Sequence, residues 1–150
     1  MAGEQAGPGT SPALDVFYAT EEAYLAGVLP DREARAAYRG CFTEDVVIRE
    51  PESLPYGGVW RGRDGVEALV RRLREVYDEA RFDDRRVFAA GDAIFVLLRS
   101  RVRARATGRR MTNSVLQRIE LRDGLIATME IFHWDPVAIR DLCDTGSPGR

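Results

Sequence analysis

The sequence predicts an α+β fold, with helices early in the chain and a curved antiparallel sheet late. Three observations carry this prediction. Apolar residues recur at helical spacing at Leu14, Phe17, Tyr18, Leu25 and Val28, and again at Val66, Leu69, Val70, Leu73 and Tyr77. After Ala80 the period changes to two and stays there. Turn signals at Gly91-Asp92, Thr107-Gly108 and Asp123-Gly124 then divide the remainder into four strands. Helices segregated from strands make an α+β arrangement, whereas alternation would have implied a parallel sheet.

Each element has a local reason. Residues 1–12 are rich in Gly, Pro, Ala and Ser and read as a disordered tail. A helix runs from Ala13 until Gly27 and Pro30 end it. Asp31 is placed as the N-cap of a second helix reaching about Gly40. Asp45 to Glu50 reads as a strand in which Val46, Ile48 and Glu50 share one face. Pro51, lacking a backbone N–H, ends it. Glu52 to Gly58 is a stiff turn punctuated by Pro55 and Gly57-Gly58. Asp64 is placed as the cap of a third helix, Gly65 to about Asp78. The four late strands span 81–90, 93–106, 110–122 and 125–134. Asp135 caps a short final helix that begins with Pro136. One domain over 13–144 and a loose tail over 145–150 complete the expectation.

Composition narrows the function classes. At 150 residues the chain is long enough for one sizeable core, and 45% apolar with 31% charged residues is ordinary for a globular protein. No apolar run approaches a membrane span, and the N-terminus lacks the basic start of a signal peptide. Cys41 and Cys143 lie far apart and read as reduced, cytoplasmic thiols. One histidine and no cysteine cluster argue against a metal site. Every basic residue is arginine, so Schiff-base chemistry through lysine is excluded. A net charge of −2 gives no electrostatic case for nucleic acid.

Strand alternation assigns the faces. Ile94, Val96, Leu98, Ser100, Val102 and Ala104 point inward, against Phe95, Leu97 and the row Arg99, Arg101, Arg103, Arg105. That row reads as a solvated or dimer-facing surface paired with carboxylates such as Glu120 and Glu130. Asn113, Val115, Gln117, Ile119 and Leu121 line the inner face of the next strand. Leu125, Ala127, Met129, Ile131 and His133 line that of the last. The apolar walls of the resulting pocket are Ile48, Leu98, Val102, Val115, Ile119, Met129 and Ile131. Glu50 shares their face, where an ionised acid is costly unless paired or functional. His133 is in register with Met129 and Ile131, so an acid and a base can meet in one cavity. The alternatives are an arginine-paired strand-end acid and a structural histidine. Glu52 and Tyr56 sit on the rim loop.

Helix–helix–strand–loop–helix followed by four long strands resembles the nuclear transport factor 2-like cone fold, a cone-shaped α+β barrel around an apolar pocket. Within it, Ile48-Arg49-Glu50-Pro51 is similar to the ketosteroid isomerases and the SnoaL-like polyketide cyclases. The isomerase pattern has an aspartate before a proline, acting as base; Glu50 stands there. The resemblance implies a tyrosine on the first helix, for which Tyr24 or Tyr18 is the candidate. It also implies a protonated acid on a later strand, a place taken here by Gln117; the enzyme is a known case of such an acid. Glutamine can donate a hydrogen bond but not a proton.

The resemblance and the apolar pocket together imply a cofactor-free cyclase or isomerase of bacterial secondary metabolism, acting on an apolar, polycyclic polyketide-type substrate. Glu50, His133, Tyr24 and Gln117 are its expected catalytic groups, and a homodimer is implied by the resemblance. Two alternatives stay open. Epoxide opening would need two inward acids, such as Glu50 and Glu52. A non-catalytic binding or scaffold domain would have Glu50 neutralised by arginine and the cavity filled.

Overall fold

The computed structural model describes residues 11–146. Of the expected tails, 1–12 and 145–150, residues 1–10 and 147–150 lie outside the described residues. Ser11 and Pro12 belong to the first helix, not to a tail. The Ser11 hydroxyl accepts from the Ala13 N–H at 3.2 Å, and Pro12 occupies N1, where its missing N–H costs nothing. The helices are α1 (Pro12–Leu25), α2 (Asp31–Arg39), α3 (Gly62–Val76) and α4 (Pro136–Cys143). The strands are β1 (Phe42–Glu50), β2 (Gly58–Arg61), β3 (Tyr77–Ala90), β4 (Ala93–Ala104), β5 (Arg110–Arg122) and β6 (Leu125–His133).

Asp31 and Asp64 are not caps but lie in the first turns of α2 and α3, where a carboxylate favours the positive end of the helix dipole. Asp135 caps α4 as expected, its Oδ1 accepting from the Ala138 N–H at 2.9 Å.

The six strands form one curved, unclosed sheet in the order β2-β1-β6-β5-β4-β3. Its long half is antiparallel, but β1 runs parallel to β6, so the sheet is mixed. The short strand β2 has no counterpart in the sequence reading, where the rim turn runs straight into the third helix. It pairs with β1 from Val47↔Arg61 to Glu50↔Gly58 and folds the loop back over the end of β1. A bulge between Glu120 and Leu121 changes the β6 pattern: Ala127 has no partner, and Ile126 turns inward to complete burial in place of Leu125 and Ala127.

The helices cover the concave face. Phe17, Tyr18, Leu25, Tyr38 and Phe42 pack with Val66, Leu69 and Leu73 against Ile48, Val96, Leu98, Ile119 and Met129. The convex face carries the ion pairs. Arg101 pairs with Asp83, Arg103 with Asp78, Arg110 with Glu79, and Arg118 with both Glu120 and Glu130. Among the described residues no helix is long and apolar enough to cross a membrane.

Candidate functional site

Between the helices and the concave face of the sheet lies a cavity. Phe17, Glu21 and Leu25 reach it from α1, spaced one helical turn apart on one stripe. Leu69, Val70 and Leu73 form the α3 wall, and Ile139 of α4 closes the far side. The sheet contributes Ile48, Glu50, Leu98, Ser100, Val102, Asn113, Val115, Gln117, Met129, Ile131 and His133. The cavity volume is about 60 Å³, several times the ~10–15 Å³ that one water requires.

Glu50 and His133 meet inside this cavity. His133 Nε2 lies 3.1 Å from Glu50 Oε2, and the two side chains are 9% (His133) and 5% (Glu50) exposed. On the other side of the ring, Asn113 Nδ2 lies 3.1 Å from His133 Nδ1. The Asp135 N–H, at 3.4 Å from Asn113 Oδ1, turns the amide so that its NH2 faces the histidine. Nδ1 therefore accepts, the ring proton is on Nε2, and it is donated to Glu50. Burial pushes the Glu50 carboxyl above its ordinary range, and the bond from His133 opposes that shift.

Two donor groups complete the polar lining. The Tyr18 hydroxyl, behind the wall, donates to Gln117 Oε1, which leaves the Gln117 amide NH2 as a donor toward the cavity. Tyr56 and Tyr77 share a hydrogen bond at 3.0 Å, and the Tyr56 ring stands edge-on to His133 at 6.4 Å.

Glu50, His133, Gln117, Tyr56, Ile48, Leu98, Val102, Val115, Met129 and Ile131 are thus brought to one cavity. Three expected residues are not. Tyr24 is rotated off the Phe17/Glu21/Leu25 stripe; it packs edge-on against Tyr38 and beneath the Arg74 guanidinium, 4.7 Å from the ring centre. Glu52 lies in the turn closed by the Leu54 N–H to Pro51 carbonyl bond and faces solvent. Ile119 is fully buried, paired between Ile94 and Met129, and does not line the cavity.

Glu21, Ser100, Asn113 and Tyr77 join the site without having been expected there. Ser100 and Asn113 fall on the inner face by alternation, and a polar residue among buried aliphatic ones is the signal that marks them. Glu21 carries no such mark, because a lone Glu in a helix beside Glu22 reads as solvated.

The model of the SnoaL-like domain matches residues 22–129. A comparison with curated proteins found no match. Among solved structures, an NTF2-like protein of unknown function from Burkholderia pseudomallei is 24% identical, with a TM-score of 0.72, over 91% of this chain and 100% of the other. TerC, crystallised with polyporic acid, is 23% identical with a TM-score of 0.68 over 89% and 98%. A putative SnoaL-like polyketide cyclase from Jannaschia is 16% identical with a TM-score of 0.67 over 97% and 100%. Such likenesses show the fold. The solved structures share the NTF2-like fold, and with well over half its length matched by the family model the chain belongs to the SnoaL-like domain family.

Proposed function

We propose that the protein is a cofactor-independent enzyme that moves a proton on an apolar carbonyl compound, so as to isomerise a double bond or close a ring. One observation carries this reading: a buried carboxylate, held by an oriented histidine, facing an otherwise apolar cavity. Glu50 is the base. His133 holds its carboxylate through Nε2–H, Asn113 fixes the tautomer, and Gln117 offers an N–H to the carbonyl oxygen where negative charge develops. The walls favour a hydrocarbon skeleton. The neighbours described as a polyketide cyclase and as holding polyporic acid are in keeping with an organic substrate of this kind.

The scaffold reading requires an arginine on Glu50 and a filled cavity. Glu50 instead has His133, and the cavity is open. Epoxide opening is the second reading, favoured because Glu21 and Glu50 are two inward acids in place of the expected Glu50 and Glu52. A second copy of the chain is the proposed partner, docking on the convex row Leu97–Leu116–Phe132 that the register aligns across three strands.

A one-ring β,γ-unsaturated ketone, 3-cyclohexen-1-one, tests the first reading. The native protein should form the conjugated enone faster than buffer, and Glu50→Gln should lose ~10²–10⁴-fold of that rate. A rate indifferent to this substitution would overturn it. Hydration of cyclohexene oxide without enone formation would establish the second reading instead.

A further inference from the structure

Glu21 is the group in the cavity that the Glu50–His133 chemistry leaves unused. Its side chain comes from the helical wall, is 8% exposed, and lines the same cavity as Glu50. It has no hydrogen-bond or ion-pair partner among the described residues, whereas Glu22 beside it accepts from the Phe82 N–H at 2.8 Å and Glu67 is held by Arg35 and Arg39. No arginine lines the cavity among the described residues. The charged and titratable groups around Glu21 are Glu50 from β1, Tyr38 from α2, and Glu22 and Tyr18 on its own helix; Tyr56, Tyr77 and His133 line the same cavity, His133 being bonded to Glu50. None of them forms an ion pair with Glu21. A buried carboxyl with only acidic and phenolic neighbours is stable in its neutral form.

We propose that Glu21 is the neutral acid of the cavity, donating to the substrate oxygen while Glu50 takes the carbon proton, so that the site selects uncharged carbonyl compounds. This rests on the proton-transfer reading and deepens it. The Glu50 carboxylate removes the proton α to the carbonyl. The C–H electron pair becomes the new C=C bond, and the carbonyl π pair moves to oxygen, which takes the Glu21 proton. Return of the Glu50 proton to the γ carbon and of the enol proton to Glu21 leaves substrate isomerised and both acids restored. Neither oxidant nor co-reactant enters. The same arrangement sets specificity. A carboxylate or phosphate would face two acids, no arginine and a histidine already engaged by Glu50, and an ammonium would require Glu21 to be ionised.

Burial and the nearby Glu50 charge act in the same direction, together pushing the Glu21 carboxyl up to about 8. Infrared titration of the whole protein tests the assignment without a substrate. At pH 6 a protonated-carboxyl C=O band is expected in the native protein and in Glu50→Gln, and its loss in Glu21→Gln. No band, or loss of the band in Glu50→Gln alone, would overturn the proposal. Calorimetry at the same pH with cyclohexanone, cyclohexylammonium and cyclohexanecarboxylate reads the specificity. The ketone should bind at least ~10-fold tighter than either ion. Glu21→Gln, which keeps a donor, should stay within ~3-fold for the ketone, and Glu21→Leu should lose ~10-fold. Ammonium binding as tight as ketone binding would overturn the proposal. The infrared band decides the matter whether or not these probes bind, and it is independent of the enone assay. A retained band with no Glu50-dependent turnover would sink only the proton-transfer reading.

Discussion

Glu50, His133 and Asn113 form a chain in which each group fixes the next. Because the Asn113 amide is turned by the Asp135 N–H, it presents a donor to Nδ1, and the histidine can only give its proton to Glu50. Replacing Asn113 with leucine removes that constraint. As His133 is the only histidine, nitrogen-15 NMR should show the Nε2–H form giving way to a tautomer mixture. Turnover should fall by ~10-fold or more with KM little changed, as expected for a positioning residue. Glu21 makes a stability prediction with a definite sign. Its folded pKa, about 8, exceeds the ordinary carboxyl value of 4.5. Between those pH values the native state holds a proton that the unfolded chain has released, so this group's contribution falls as pH rises through the window. Glu21→Gln should therefore gain in Tm relative to the native protein toward pH 8 and above, with the gap closing below pH 4.5. Equal pH dependence of the two Tm values would contradict the burial of an uncompensated acid.

The elements divide the cavity between a sheet that carries Glu50 and His133 and a helix that carries Glu21. The loop from Pro51 to Gly57 joins them by folding the chain from β1 into β2. Gly57 allows a close approach that no other residue permits: a Cβ there would lie 2.3 Å from the Pro51 carbonyl oxygen and 2.7 Å from Glu52 Cα. Both are backbone atoms and cannot swing away. Gly57→Ala should cost ~1–3 kcal/mol in denaturant unfolding and displace Tyr56, whose ring faces His133. A wild-type midpoint for this variant would show that the loop relaxes freely. At the opposite rim, α4 is held at both ends. Asp135 caps its start, and Arg109 Nη2 donates to the carbonyls of Asp141 and Asp144 at 2.8 and 3.0 Å near its end. This fixes Ile139 in the cavity wall. These end contacts are half legible in the sequence. The Asp135-Pro136 pair announces a helix start, but nothing local marks Arg109, which lies 32 residues before its partner.

For the whole molecule, the convex face poses the remaining question. Phe132 is 51% exposed and Trp134 86% exposed, and the register places Phe132 beside Leu116 and Leu97. Such a patch among ion pairs is suited to a second copy of the chain. Sedimentation should find a dimer for the native protein, and Phe132→Glu should shift it to monomer without loss of helix or strand signal. A native monomer would remove the dimer proposal. Sequence alone suffices for the local layer: the helix-then-strand order, β5 to the residue, the α4 cap, and the shared face of Glu50, Ile48 and Val46. All of these follow from periodicities and turn chemistry that act over a few residues. It takes the folded chain to lay β1 parallel to β6, so that Glu50 and His133, 83 residues apart, share a hydrogen bond. The same folding selects the stripe of α1 that faces the cavity, admitting Glu21 and turning Tyr24 away. Helical periodicity defines stripes but not the direction in which a docked helix turns them; the packing of α1 between α2, α3 and the sheet does that.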